Sequence, residues 1–224
     1  MSAPVVIAVD GTAACGKGTL ARMLARHYNF AHLDSGALYR LVALGVIEAN
    51  GDPANEEDAV KAARAIDPAR AIDPIIRRPD VGRASSQVAA LAAVRRELFD
   101  YQRQFAAQPP RNAEGAVIDG RDIGTVIAPY ATAKLFVDAR PEVRAHRRWL
   151  ELQAMGIVRE EADVLAELTI RDAADRNRPI SPLKQAVDAS LLDTSDLGID
   201  AAFAAALDLL DHKVKAALAA RHRG

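Results

Sequence analysis

Gly11-Thr12-Ala13-Ala14-Cys15-Gly16-Lys17 sets two glycines and a lysine at the spacing G-x-x-x-x-G-K, and that spacing has a chemical use. Glycines let successive backbone N–H groups turn inward as a nest for an anion. A helix starting there directs its positive end at the anion, and the lysine adds a mobile charge. A polyphosphate fits this set, so residues Gly11, Thr12, Ala13, Ala14, Cys15, Gly16, Lys17, Gly18 and Thr19 are expected to bind a nucleoside triphosphate. Ser or Thr usually follows the lysine and holds Mg²⁺. Here that residue is Gly18, and the hydroxyl arrives one position later, at Thr19. One residue is about 100° of helix rotation, so Thr19 cannot stand in for the missing ligand.

Two elements must frame such a loop, and both are legible. Val5-Val6-Ile7-Ala8-Val9 reads as a buried strand, and Leu20 and Leu24 share one face of a following helix. A glycine turn that merely joins strand to helix is the bland alternative, disfavoured by strand, motif and helix occurring together. The Gly-Lys-Gly-Thr form is similar to that of nucleoside monophosphate kinases, which implies Mg²⁺ carried by ATP and water with no direct protein ligand. It points away from switch GTPases, as does the lack of an Asn-Lys-x-Asp guanine signature.

A second cluster follows. Phe30 to Leu33 reads as a short strand ending at Asp34-Ser35-Gly36-Ala37-Leu38-Tyr39-Arg40, with Ser35 as N-cap of a helix to about Ala49. Gly36, Tyr39 and Arg40 lie within one turn, and an arginine at such a strand end can hold a phosphate. A surface salt bridge is the competing reading. This heptapeptide resembles the monophosphate-site signature of bacterial cytidylate kinases. The resemblance recurs in order at Ala84-Ser85-Ser86-Gln87-Val88-Ala89 with Val94-Arg95, at Asp119-Gly120-Arg121-Asp122, and at Arg171-Asp172-Ala173-Ala174-Asp175-Arg176-Asn177-Arg178. It covers nearly the whole chain.

The resemblance implies transfer of the ATP γ-phosphoryl group to CMP or dCMP in pyrimidine nucleotide metabolism. Ser35, Gly36, Tyr39 and Arg40 would serve the monophosphate. Ser86 and Arg95 would hydrogen-bond the cytosine, with Asp122 reading its amino group. Arg121 would clamp the phosphate, while Arg171 and Asp175 meet ribose and phosphate. Arg178 would reach the transferring group, and Asp119 would position metal or acceptor. The catalytic set is then Lys17, Arg121, Arg178 and Asp119. Individually each has a plain alternative: a solvated Arg95-Arg96 face, or a salt-bridged turn at Asp119. A kinase for UMP, AMP or shikimate, or a nucleotide-sensing regulator, would share the loop.

Size and composition narrow the field. The chain has 224 residues, 50% hydrophobic and 26% charged, as in a soluble globular protein. Only 4% are aromatic and the net charge is −1, which argues against nucleic-acid binding. No long apolar run or leader is evident, and a single cysteine excludes an internal disulfide, so a cytoplasmic location with no membrane partner is expected; a monomer is the expected state, which none of these features decides. Arginines outnumber lysines 23 to six; most are ascribed to compositional bias, and only those in motifs count. Oxidation or alkylation of Cys15 would block the loop; a small residue filling space is the other reading.

The expected fold is a single α/β P-loop NTPase domain over residues 1–224, three layers with a parallel sheet of about five strands. Strands are expected at Gly115–Ile118, Ala133–Val137 and Leu191 onward, and one helix from Val81 to about Ala107. The helices after Pro141 and from about Glu160 would form a lid near 144–160, with Arg147 and Arg148 directed at the triphosphate. A packing helix from Ile199 would close the chain. Residues 51–80 are polar and repeat Ala-Arg-Ala-Ile-Asp-Pro at 63–68 and 69–74. They resemble a shortened form of the family's monophosphate-site insert, without its alternating β pattern. Closure and monophosphate affinity are therefore expected to differ, and the repeat reads as a duplication in a tolerant loop.

Overall fold

The computed structural model of the chain describes residues 3–223. Strand β1 (Val5–Gly11) is buried along its whole length, as its unbroken run of β-branched and small apolar residues requires of a central parallel strand. Around it lie β2 (Ala31–Asp34), β3 (Gly115–Gly120), β4 (Ala133–Asp138) and β5 (Ser190–Asp193), in the order β2-β3-β1-β4-β5. The pairs β1–β3, β1–β4 and β4–β5 are parallel. Register matters more than order. Asp10 stands beside Gly120, and Gly11 beside Val137, so β1, β3 and β4 end on one rim. The chain turns to β2 on one side after β1 and crosses to β4 on the other after β3, and such a reversal leaves a ligand crevice at the strand ends.

The helices are α1 (Lys17–Tyr28), α2 (Ser35–Glu48), α3 (Glu56–Ala65), α4 (Pro79–Ala90), α5 (Ala92–Ala107), α6 (Pro141–Ala154), α7 (Glu161–Asn177) and α8 (Ile199–Arg221). The chain forms two compact units. One runs to His32 and resumes at Ala106; the other is Leu33–Phe105. In the first, Leu20 and Leu24 of α1 and Ala206, Leu210 and Val214 of α8 join Ile7, Val9, Val117 and Leu135 in one buried cluster. A smaller cluster unites Ala13 of the loop with Ala145 and Leu152 of α6 and Val164 and Leu168 of α7. No helix among the described residues is long and apolar enough to cross a membrane.

Two expectations need correction. The helix expected over 81–107 is two helices, because Leu91 leaves the helical region at φ −78°, ψ 120°; the surrounding Ala89-Ala90-Leu91-Ala92 contains no residue that would mark the break. Val88 and Leu98 are buried as expected, whereas Leu91 and Phe105 are half-buried. The N-cap of α2 is Asp34, not Ser35: its Oδ1 accepts from the Ala37 N–H at 3.0 Å. An aspartate one position earlier satisfies the same orphan donors, and Ser35 becomes the first helical residue, buried. Residues 51–80 hold α3 and two 3₁₀ turns, Pro68–Ile72 and Pro74–Arg77, with no strand.

Candidate functional site

The loop between β1 and α1 has the backbone its glycines imply. Gly11 at φ +155° could not carry a side chain, since a Cβ there would lie 2.0 Å from the Val137 carbonyl oxygen. Gly16 at φ +90° and Ala14 at φ 58° turn the chain through the left-handed region. Lys17 Nζ donates to the Thr12 carbonyl at 3.0 Å, which folds the ammonium back across the loop. Cys15 is fully buried among the core residues, with Gly11 behind it.

The sequence reading missed the groups that fasten this loop. Arg144 and Asp172 form a buried ion pair at 2.6 Å. Arg144 also donates to the carbonyls of Ala139 (2.8 Å) and Ala13 (3.2 Å), and the Ala13 N–H donates to Asp172 at 3.4 Å. Thr12 donates its hydroxyl to Asp138 at 2.6 Å, and Thr194 donates to the Cys15 carbonyl at 2.9 Å. Thr12, Ala13 and Cys15 are thereby tied to β4, α6, α7 and the segment that follows β5. Asp172 stood inside a quoted motif, but no spacing rule links it to Arg144.

Asp10, also missed, serves the next segment. Its two carboxylate oxygens accept from the N–H groups of Ile123 (2.8 Å) and Gly124 (2.7 Å), fixing the short π-helical turn Ile123–Ile127 that follows Asp122. Burial pushes the Asp10 carboxyl up to about 7, against the two backbone hydrogen bonds. Asp119 ends β3, buried, with Oδ1 at 2.8 Å from His32 Nε2. Its other oxygen is 3.5 Å from where a Cβ on Gly18 would stand. Asp122 is buried as well.

Three arginines surround one carboxylate. Arg121 Nε donates to Asp175 Oδ2 at 2.8 Å, and Arg178 lies 3.8 Å from Asp175 Oδ1. Arg171 shares the same face of α7, one turn earlier. Burial alone would raise the Asp175 carboxyl, but the Arg121 and Arg171 charges outweigh it and hold the pKa below the usual carboxylate range. Burial and then the Arg121 charge push Arg171 down to about 10, and its buried Nε has no hydrogen-bond partner. Charge in this cluster is thus in positive excess. Arg178 sits at the C-cap of α7 and donates to the Ser181 carbonyl.

The two lid arginines each have protein partners. Arg147 donates to the Thr194 hydroxyl (3.0 Å) and carbonyl (2.7 Å), so it braces the exit of β5, and Arg148 pairs with Glu151 at 2.8 Å.

In the second unit, Arg40 of α2 donates to the Ile76 carbonyl at 2.8 Å. Arg95, buried, lies with its guanidinium 5.4 Å from the Tyr39 ring centroid and donates to the Ala89 carbonyl at 3.3 Å. That carbonyl is one of those freed at the end of α4, so the unforeseen break at Leu91 supplies the acceptor that orients Arg95. Gly36 leaves room for the Asp34 cap, since a Cβ there would be 3.2 Å from Asp34 Oδ1. Ser86 is half-buried on α4, beside the buried Ser85 that donates to the Gly82 carbonyl.

No group of three or more His, Cys, Asp or Glu among the described residues is arranged to hold a metal. The donor set near the loop fits a cation held through water. Asp119 offers a carboxylate beside the first turn of α1, where Gly18 contributes no side-chain oxygen.

Comparison with known proteins places this chain. The sequence model of the family described as cytidylate kinase matches residues 7–212. The cytidylate kinase of Nitrobacter winogradskyi is 51% identical over 207 residues, covering 92% of this chain and 96% of that protein. That of Bradyrhizobium diazoefficiens is 49% identical over 220 residues, covering 98% and 100%. Among solved structures, an uncharacterized protein from Eubacterium ventriosum superposes with a TM-score of 0.51 at 14% identity, covering 92% of this chain and 98% of that one. At that identity the likeness concerns the fold alone.

Proposed function

This chain belongs to the cytidylate kinase family, and on that premise we propose that it transfers the γ-phosphoryl group of ATP to CMP or dCMP, giving ADP and CDP or dCDP. Such a transfer needs in-line positioning and charge neutralisation rather than a covalent enzyme intermediate. An acceptor phosphate oxygen attacks the γ-phosphorus, and the bond to the β-phosphate oxygen breaks. Backbone N–H groups of residues 12–18 and Lys17 would hold the donor phosphates. Arg121, Arg171 and Arg178 would hold the charge that develops on the moving phosphoryl group and its acceptor. Arg40 would bind the acceptor phosphate, and Tyr39, Ser86, Arg95 and Asp122 would recognise the cytosine nucleotide. Mg²⁺, bound with ATP and reached by Asp119 through water, would neutralise phosphate charge.

The observation that carries this reading is the cluster around Asp175. Arg121 and Arg178 pair with one carboxylate, Arg171 adds its charge beside them, and Arg171 is pushed down to about 10 with a buried Nε that has no hydrogen-bond partner. A site that concentrates three arginine charges around a buried carboxylate in low dielectric is suited to a doubly charged phosphate. The test is Arg178→Ala. Turnover should fall at least about 100-fold while ATP affinity changes little, because the lost donor acts on the transition state. Unchanged turnover would remove Arg178 from the mechanism.

A further inference from the structure

Residues 63–74 read in sequence as a duplication in a tolerant loop, yet the two copies have different fates. Each ends in Asp-Pro, and each Asp-Pro opens a 3₁₀ turn in the same way. Asp67 Oδ1 accepts from the Ala69 N–H at 2.9 Å, and Asp73 Oδ1 from the Ile75 N–H at 3.0 Å. The first turn also lies against α2, near its far end where Arg70 stands 3.9 Å from Glu48, and it leaves Ile72 91% exposed. The second, Pro74–Arg77, buries Ile76 completely and presents two contacts to the start of α2. The Ile76 carbonyl accepts from Arg40 Nη1 at 2.8 Å, and the Arg77 guanidinium donates to Asp34 Oδ2 at 2.8 Å. Asp34 is the α2 N-cap. Across from the carbonyl, α4 presents Gly82, where a Cβ would already stand 3.4 Å from Arg40 Nη1. Any side chain beyond a methyl would compete with the guanidinium for that space.

From this geometry we infer that the 3₁₀ turn Pro74–Arg77 is the seat of Arg40: it fixes the guanidinium through the Ile76 carbonyl and the helix bearing it through the Arg77–Asp34 pair. Asp73 and Arg77 are positioning residues, acting on the acceptor nucleotide only through Arg40. The inference rests on the proposed role of Arg40 at the acceptor phosphate. A flexible arginine must surrender several rotamers on binding a phosphate, whereas one already anchored has lost them on folding. The seat therefore governs acceptor affinity, and it gives the shortened insert a use despite its lack of a sheet.

The duplicated copy supplies an internal control. Asp73→Ala unfastens the turn that holds Arg40, Asp67→Ala unfastens its twin, and Arg77→Ala removes the pair to Asp34. All three side chains belong to surface turns, so melting temperatures should move by no more than about 4 °C. Steady-state kinetics with CMP and ATP varied in turn is the readout. Asp73→Ala and Arg77→Ala should each raise KM for CMP about three- to tenfold, leaving kcat and KM for ATP within about twofold. Arg77→Lys should restore most of the loss, and Asp67→Ala should behave as wild type. Arg40→Ala run alongside separates the two possible failures. If it raises KM for CMP while Asp73→Ala and Arg77→Ala do not, the seat is refuted and the phosphate role of Arg40 stands. If Arg40→Ala leaves KM for CMP unchanged, that role falls and the inference falls with it. An equal rise in Asp67→Ala and Asp73→Ala would also overturn it, since the effect would then be general loosening.

Discussion

Replacing Arg144 with leucine removes one half of the ion pair that ties the phosphate loop to α6 and α7. The side chains of Arg144 and Asp172 are 3% and 4% exposed, and their closest atoms are 2.6 Å apart. Loss of the guanidinium strands the Asp172 carboxylate in the interior and takes the donor from the carbonyls of Ala139 and Ala13. Removing one partner of a buried pair costs about 3–5 kcal/mol, because the other is left uncompensated; an exposed pair would cost about 1 kcal/mol or less. For a urea dependence of about 2–3 kcal/mol per molar, the unfolding midpoint should fall by roughly 1–2 M. The single tryptophan reports on the right place: Trp149 of α6 donates its indole N–H to the Arg159 carbonyl just before α7. Urea titration followed by tryptophan fluorescence is therefore the assay. The double variant Arg144→Leu/Asp172→Leu should recover at least half of the loss, since no buried charge remains. A shift of the size expected for an exposed pair, or no recovery in the double variant, would refute the reasoning.

Asp10 carries a pH signature. Burial lifts its folded-state pKa to about 7 from 3.8, so the folded chain retains a proton that the unfolded chain has released. The resulting stabilisation is present below the unfolded value and is lost as pH rises through about 7. Wild type should thus lose more stability than Asp10→Asn between about pH 5 and pH 8, read as urea midpoints; parallel pH profiles would contradict this. Cys15, fully buried, should resist a thiol-specific chromogenic reagent in the native chain and react once denaturant is added. Rapid modification of the native protein would show the loop opening far more readily than its fastenings allow.

Most of the framework was legible because short-range chemistry specifies it. The β1 run, the glycine spacing and the Leu20–Leu24 face fix strand, loop and helix locally. What escaped the sequence depends on contacts between distant segments. Arg144 and Asp172 are an ordinary arginine and aspartate until α6 and α7 bring them under Ala13. The Leu91 break carries no glycine or proline that would mark it. The two Ala-Arg-Ala-Ile-Asp-Pro copies are identical in sequence, yet residues 63–65 end α3 while residues 69–72 lie in a 3₁₀ turn. The partner that holds Arg147, Thr194, lies 47 residues away and could not be read from the lid helix itself.

The central claim is a phosphoryl transfer selective for a cytidine monophosphate. It is tested most directly by coupled ADP release with Mg-ATP and CMP, dCMP, UMP, AMP or shikimate offered singly. The account predicts fast turnover with CMP and dCMP, slow turnover with UMP and none with the others. Turnover that favours AMP or shikimate, or none with any acceptor despite ATP binding, would contradict it.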